Sequence, residues 1–169
     1  EQQRSACLGM LPSHGGTFVM LEFAKMHGLG NDFVVIDARD RTFQPDHALA
    51  AAIADRRQGV GFDQMLVMRP PTDPRADVFM SIYNADGGEV EACGNGTRCV
   101  ARRIMAESGK PRAIVQTVAG LLDAHAAPDD LVAVDMGYVR TEWNEIPIKE
   151  ACDTLHVPVE IGPLSDPVA

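Results

Sequence analysis

Apolar residues along this chain fall into short runs parted by glycine, proline and acidic clusters, and the runs alternate between strand and helix patterning. Leu21–Met26 and Phe33–Asp37 predict strands, the second rich in β-branched residues. The intervening HGLGND is a turn whose two glycines permit tight backbone conformations. Asp46–Gln58 is alanine-rich, with Leu49 and Ile53 one turn apart, and predicts a surface helix closed by a glycine signal at Gly59. Gly59–Gln64 leads into a strand at Met65–Arg69, and Pro70, Pro71 and Pro74 turn the next stretch into a loop. Asp77–Asn84 predicts a strand that delivers Asn84 to an Ala85–Gly88 turn. Thr97–Ser108 predicts a helix ending at Gly109 and Pro111. Three β-segments come next, Ala113–Val118, Leu121–Ala126 and Leu131–Met136, separated by Ala-Gly and Pro-Asp-Asp as suits a meander.

Gly137 closes this unit. From Tyr138 onward four prolines (Pro147, Pro158, Pro163 and Pro167) punctuate short apolar pieces. Residues 138–169 are therefore expected to be a linker and the truncated start of a second domain. At the other end, EQQRSACLGMLPSHGGTFVM is broken by Pro12, Gly15 and Gly16. Residues 1–19 are expected to be an extension, disordered or non-native, with Met20 as the natural start. Residues 20–137 form the expected main domain.

A length of 169 residues suits one domain or one and a fraction. The 46% hydrophobic content is enough for a packed core. The net charge of −9, spread rather than blocked, argues against nucleic acid and anionic membrane as partners, since both call for a basic face. No apolar run approaches the ~20 residues that span a bilayer. The four cysteines, Cys7, Cys93, Cys99 and Cys152, match neither a zinc pattern nor a C-x-x-C pair. Free thiols in a reducing cytosol are the expectation.

Candidate chemistry concentrates in YNADGGEVEACGNGTRCVARR, Tyr83–Arg103. Cys93 stands directly before Gly94-Asn95-Gly96 and a helical run. A thiol at a helix start meets the positive end of the dipole and unpaired N–H groups, which favour thiolate. The same N–H groups can seat a substrate carboxylate. From residue type alone, Asn31 and Asn84 are equally well turn residues or ligands. Gln64 carries no signal of its own. Asp63, next to Gln64, could orient a neighbour or equally cap a turn. His27 is more readily structural than a base. Cys99 suits packing within the helix, and Arg98, Arg102 and Arg103 suit a solvated helix face or ion pairs.

KMHGLGNDFVVIDARD (Lys25–Asp40) and YNADGGEVEACGNGTRC (Tyr83–Cys99) closely resemble diaminopimelate epimerase, with GVGFDQMLV (Gly59–Val67) at a compatible spacing between them. Three motifs in order, from about Met20 to Gly137, make the resemblance specific. It implies an α+β fold of two similar halves, each a curved mixed or antiparallel sheet wrapped around a central helix, with substrate in the cleft between them. It implies interconversion of LL- and meso-diaminopimelate, in lysine and peptidoglycan precursor synthesis, by two cysteines acting on opposite faces of the α-carbon. No pyridoxal phosphate and no metal are implied. A cytoplasmic homodimer is.

Matched residue by residue, Cys93 is the first catalytic cysteine. Gly94 and Asn95 supply donors for the α-carboxylate, and Asn31, Gln64 and Asn84 are substrate-binding amides. Amides offer donors and acceptors without fixed charge, so they can read a zwitterion beside a thiolate. The family's second cysteine lies after a Glu-Arg pair in a later Cys-Gly-x-Gly motif. No such motif comes after Gly137, and Cys152, in KEACDTLH, lacks the glycines. An inactive half, or a split half-protein that needs a second chain, is one alternative reading. A proline racemase-like two-cysteine enzyme is another.

Overall fold

The computed structural model describes residues 4–12, 18–146 and 148–157. The chain divides into two compact units, Glu1–Met136 and Gly137–Ala169. The described residues of the first unit form nine strands and two helices: β1 (Arg4–Pro12), β2 (Phe18–Gly28), β3 (Asn31–Asp37), α1 (His47–Ala54), β4 (Gln64–Arg69), β5 (Val78–Asn84), β6 (Glu89–Val90), α2 (Gly94–Ser108), β7 (Arg112–Thr117), β8 (Gly120–Ala127) and β9 (Leu131–Asp135). All nine strands join one sheet in the order β1-β2-β3-β4-β5-β7-β8-β9, with β6 paired to β5. The β3–β4 and β5–β7 pairs are parallel and the others antiparallel. Each parallel pair needs a crossover, supplied by α1 in the first case and by α2 in the second.

The sheet curls around α2, which touches β2, β3, β4, β5, β7, β8 and β9. This is the expected α+β design of a mixed sheet about a central helix. Phe33, Val35, Leu66, Met68, Met80 and Ile82 meet Cys99, Val100, Ile104 and Met105 of α2 on the inner face. The alternate residues Val34, Ile36, Met65 and Val67 meet Ala50, Ile53 and Ala54 of α1 on the outer face. Strands β3 and β4 are thus covered on both sides. That is why FVVI and MLVM are continuous apolar runs rather than alternating ones.

Four features depart from the sequence-based expectation. Residues 1–19 were expected to be an extension, disordered or non-native; disorder does not hold for Arg4–Pro12, which forms β1 and pairs antiparallel with β2. The outer edge of β2 offers unpaired backbone groups, and an apolar run beside it takes them up. Residues 1–3 and 13–17 lie outside the described residues. Helix α1 ends at Ala54 rather than Gln58, because the Asp55 side chain accepts the N–H groups of Arg57 and Gln58, at 2.6 and 2.8 Å, and turns the chain away. Gly59 serves a purpose other than a left-handed cap: a Cβ there would lie 2.2 Å from the Ala52 carbonyl oxygen and 2.6 Å from that of Ile53. Strand β6, two residues long, is too short for any periodicity to announce.

In the second unit the described residues contain one 3-10 turn, Trp143–Glu145. Among the described residues no helix is long and apolar enough to cross a membrane.

Candidate active site

Cys93 is the N-cap of α2. Its backbone is extended (φ −148°, ψ 106°), and its Sγ accepts the Gly96 N–H at 3.3 Å. Its carbonyl accepts both the N–H and the hydroxyl of Thr97, at 2.8 and 2.9 Å. A helix ordinarily places Ser, Thr, Asp or Asn at this position. Here a thiol takes the place and stays half-buried. Gly94 and Asn95 occupy the first turn, where backbone N–H groups have no intrahelical partner.

The three amides come from separate elements but reach one end of the sheet. Asn31 opens β3, paired with Gly28 across a two-residue turn in which Leu29 and Gly30 both have positive φ, 53° and 89°. Gln64 opens β4, and Asn84 closes β5 directly opposite it in antiparallel register. Strand alternation puts Asn31 on the face of Phe33, Gln64 on that of Leu66 and Asn84 on that of Ile82. All three of those residues line the α2 core.

Helix α2 begins at this same end. A Cβ built on Gly28 would be 3.3 Å from the Asn95 carbonyl oxygen, and one on Gly96 would be 3.0 Å from Leu66 Cδ2 and 3.6 Å from Cys93 Sγ. The Gln64 Nε2 donates to Asn84 Oδ1 at 3.0 Å, whereas Gln64 Oε1 is buried without a partner among the described residues. An acceptor in that condition carries a desolvation cost, and such costs concentrate where a ligand completes the bonding.

The structure therefore gathers Cys93, Gly94, Asn95, Asn31, Gln64 and Asn84 at one end of one face. The residues set aside on sequence grounds lie in other roles. Cys99 is fully buried in the α2 core. Arg102 bonds the Asp130 carbonyl and carboxylate. Arg103 pairs with Asp37 and Glu107. His27 is exposed and borders a shallow groove with Leu29, Arg98 and Leu131. Arg98 is the residue that sequence reasoning undervalued. Its guanidinium donates to Asn95 Oδ1, so it fixes a first-turn side chain of α2. The three-residue spacing on a helix was the available signal. Among the described residues no group of three or more His, Cys, Asp or Glu side chains is arranged to hold a metal ion.

A thiol beside helix-start donors and neutral amides can exchange a proton with a carbon acid whose carboxylate sits on those donors. The sequence itself then settles the kinship: a family model described as diaminopimelate epimerase matches residues 23–142. The chain belongs to the diaminopimelate epimerase family.

Among its relatives, the diaminopimelate epimerase of Rhodospirillum centenum is 52% identical over 144 residues, covering 85% of this chain and 50% of the relative. That of Sphingopyxis alaskensis is 53% identical over 137 residues, covering 81% and 48%. The chain thus spans about half the length of the curated relatives it matches. Among solved structures, a hydroxyproline epimerase from Agrobacterium vitis superposes with a TM-score of 0.52 at 20% identity, covering 69% of this chain and 41% of that one. That likeness shows the shared fold. Within the diaminopimelate epimerase family match, all six gathered residues lie inside the matched span, as do both helices.

Proposed function

We propose that this chain is the first half of a cofactor-independent isomerase that converts LL-diaminopimelate to meso-diaminopimelate, a step toward lysine and peptidoglycan precursors. Residues 20–137 are the N-terminal domain in this reading, and 138–169 lead into the second. The Cys93 thiolate removes the α-proton from one face. The electron pair left on carbon delocalises into the α-carboxylate, held by the N–H groups of Gly94 and Asn95. A thiol on the opposite face returns a proton and inverts the centre, with no net oxidation. Asn31, Gln64 and Asn84 bind the amino-acid head. The observation that carries the reading is the thiol cap of α2 at the end of the sheet where the three amides converge.

Neither other described cysteine suits the second role. Cys99 is buried inside α2, and Cys152 belongs to the second unit without a glycine turn around it. The opposite thiol is therefore assigned to a second half, in the continuing polypeptide or in a partner chain. The match to only half of each relative supports this. The assembled enzyme is read as a cytoplasmic homodimer.

The decisive assay tracks incorporation of solvent deuterium at the α-carbon of LL-diaminopimelate by the two-half protein. Cys93→Ala is expected to reduce turnover by a factor on the order of 10² or more. Retention of a tenth of the activity would refute the assignment. Roughly 50% identity to diaminopimelate epimerases, against 20% to the hydroxyproline epimerase, favours diaminopimelate over proline. Faster turnover of L-proline in the same assay would reverse that preference.

A further inference from the structure

The binding amides lie on the inner face of the sheet, but the groups that hold two of them in place lie behind it. Strands β3 and β4 run parallel, so no hairpin turn ties their starting ends together. Asn31 and Gln64 both sit at those ends. Immediately beside them, Asp32 and Asp63 exchange bonds: the Asp63 N–H donates to the Asp32 carbonyl at 2.8 Å, and the Asp32 N–H donates to Asp63 Oδ2 at 2.8 Å. Arg56, delivered by the turn after α1, closes the ring. Its Nη1 donates to Asp32 Oδ2 at 2.9 Å and its Nη2 to Asp63 Oδ1 at 2.8 Å. Lys25 of β2 completes the cluster, pairing with Asp32 Oδ1 at 2.8 Å and donating to the Gly61 carbonyl.

We propose that Arg56, through Asp32 and Asp63, is a positioning device that sets the separation of Asn31 from Gln64 and so shapes the amide rim of the site. Asp32 comes directly after Asn31, and Asp63 directly precedes Gln64, so the guanidinium fork spans the two strand starts at the point where the amides leave them. A planar fork fixes distance and angle together, which a lysine does not. Arg56 is 57% exposed and Asp63 45% exposed, so these ion pairs add little to global stability. Their effect is local: without them the two strand starts keep the paired Asp32 and Asp63 N–H bonds but lose the planar fork that holds both carboxylates at one separation. The geometric claim stands on the cluster alone, and its bearing on catalysis rests on the function proposed above.

The test is a comparison of side-chain amide NMR spectra of the ¹⁵N-labelled chain as wild type, Arg56→Ala, Arg56→Lys and Asp63→Asn. The NH₂ pairs of Asn31 and Gln64 are expected to shift and broaden in all three variants, while those of Gln116 and Asn144 stay in place. Arg56→Lys, which retains charge but loses the fork, is expected to resemble Arg56→Ala. Unchanged Asn31 and Gln64 signals in folded variants would overturn the proposal. So would equal shifts of every amide, or rescue by lysine. Unfolding of all three variants would overturn it too, since the cluster would then be a stability element. In the two-half protein, Arg56→Ala is expected to raise KM for LL-diaminopimelate about tenfold with a smaller change in kcat. Amide shifts without any KM change would leave the clamp standing and count against the substrate-binding role of Asn31 and Gln64.

Discussion

Gly96→Ala tests how tightly α2 is seated against β4. Alanine is favoured over glycine in a helix by roughly 1 kcal/mol, less near an end, so propensity alone predicts a gain. The contact opposes it. The added Cβ would lie 3.0 Å from Leu66 Cδ2 and 3.1 Å from Cδ1, about half an ångström inside the carbon–carbon optimum on both methyls at once. Leu66 is fully buried, so neither methyl can swing into solvent. Overpacking of this kind costs roughly 1–3 kcal/mol. The net expectation is destabilisation of about 1 kcal/mol. Leu66→Ala alone is expected to cost about 2–5 kcal/mol for the cavity it leaves. In the Gly96→Ala background it should cost about 1–2 kcal/mol less, because the new methyl is relieved and part of the space is filled. Urea unfolding of the four proteins, with a common m-value, supplies the cycle. Additivity within about 0.5 kcal/mol, or a more stable Gly96→Ala, would refute the seating argument. Gly94→Ala is the control, since its Cβ would meet only the flexible Met136 side chain, Sδ at 3.4 Å and Cε at 3.8 Å.

Gly59→Ala should be the harsher glycine change. Its Cβ would run into backbone carbonyls that cannot rotate away, so a loss of at least about 2 kcal/mol is expected by urea unfolding, and a neutral result would contradict the geometry. Acid should weaken the fold in a defined direction. Hydrogen bonds from Arg39 hold the Asp37 carboxyl below its ordinary value. For Asp32, burial opposes ionisation, but Lys25 and Arg56 outweigh it and the net direction is also down. A depressed carboxylate stabilises the fold above its unfolded value near 4, and that contribution is lost as pH falls through the lower folded value. The thermal midpoint should therefore hold from about pH 7 to 5 and drop below about 4. Asp37→Asn should flatten part of that drop, and a midpoint that rises on acidification would reverse the sign and reject the account.

Much of the site was legible because its residues cluster in two glycine-punctuated motifs, and glycine turns are visible without a structure. Cys93 could be placed at a helix start because Gly-Asn-Gly precedes an amphipathic run, and the structure gives it the N-cap position. Gln64 had no local signal. Its relation to Asn84 is a cross-strand register, and register depends on how two distant segments align. Asp63 left two readings open. The structure joins it to Asp32 and Arg56, residues 31 and 7 positions away along the chain. Gly59 was recognised as important for the wrong reason, since the αL cap expected from sequence is replaced by close passage over the carbonyls of α1.

The sequence by itself determined both helices and the strands of the first unit other than β1 and β6, the chemistry available at Cys93, and the family. Period, turn residues and motif order are local properties that survive without knowledge of the fold. Tertiary structure alone decided that Asn31, Gln64 and Asn84 share the inner face with the start of α2, and that Arg56 ties two of their strands from behind. Those facts depend on sheet order, on parallel or antiparallel direction and on which face each helix covers. All three are set by packing between segments far apart in the chain, where no window of residues can record them.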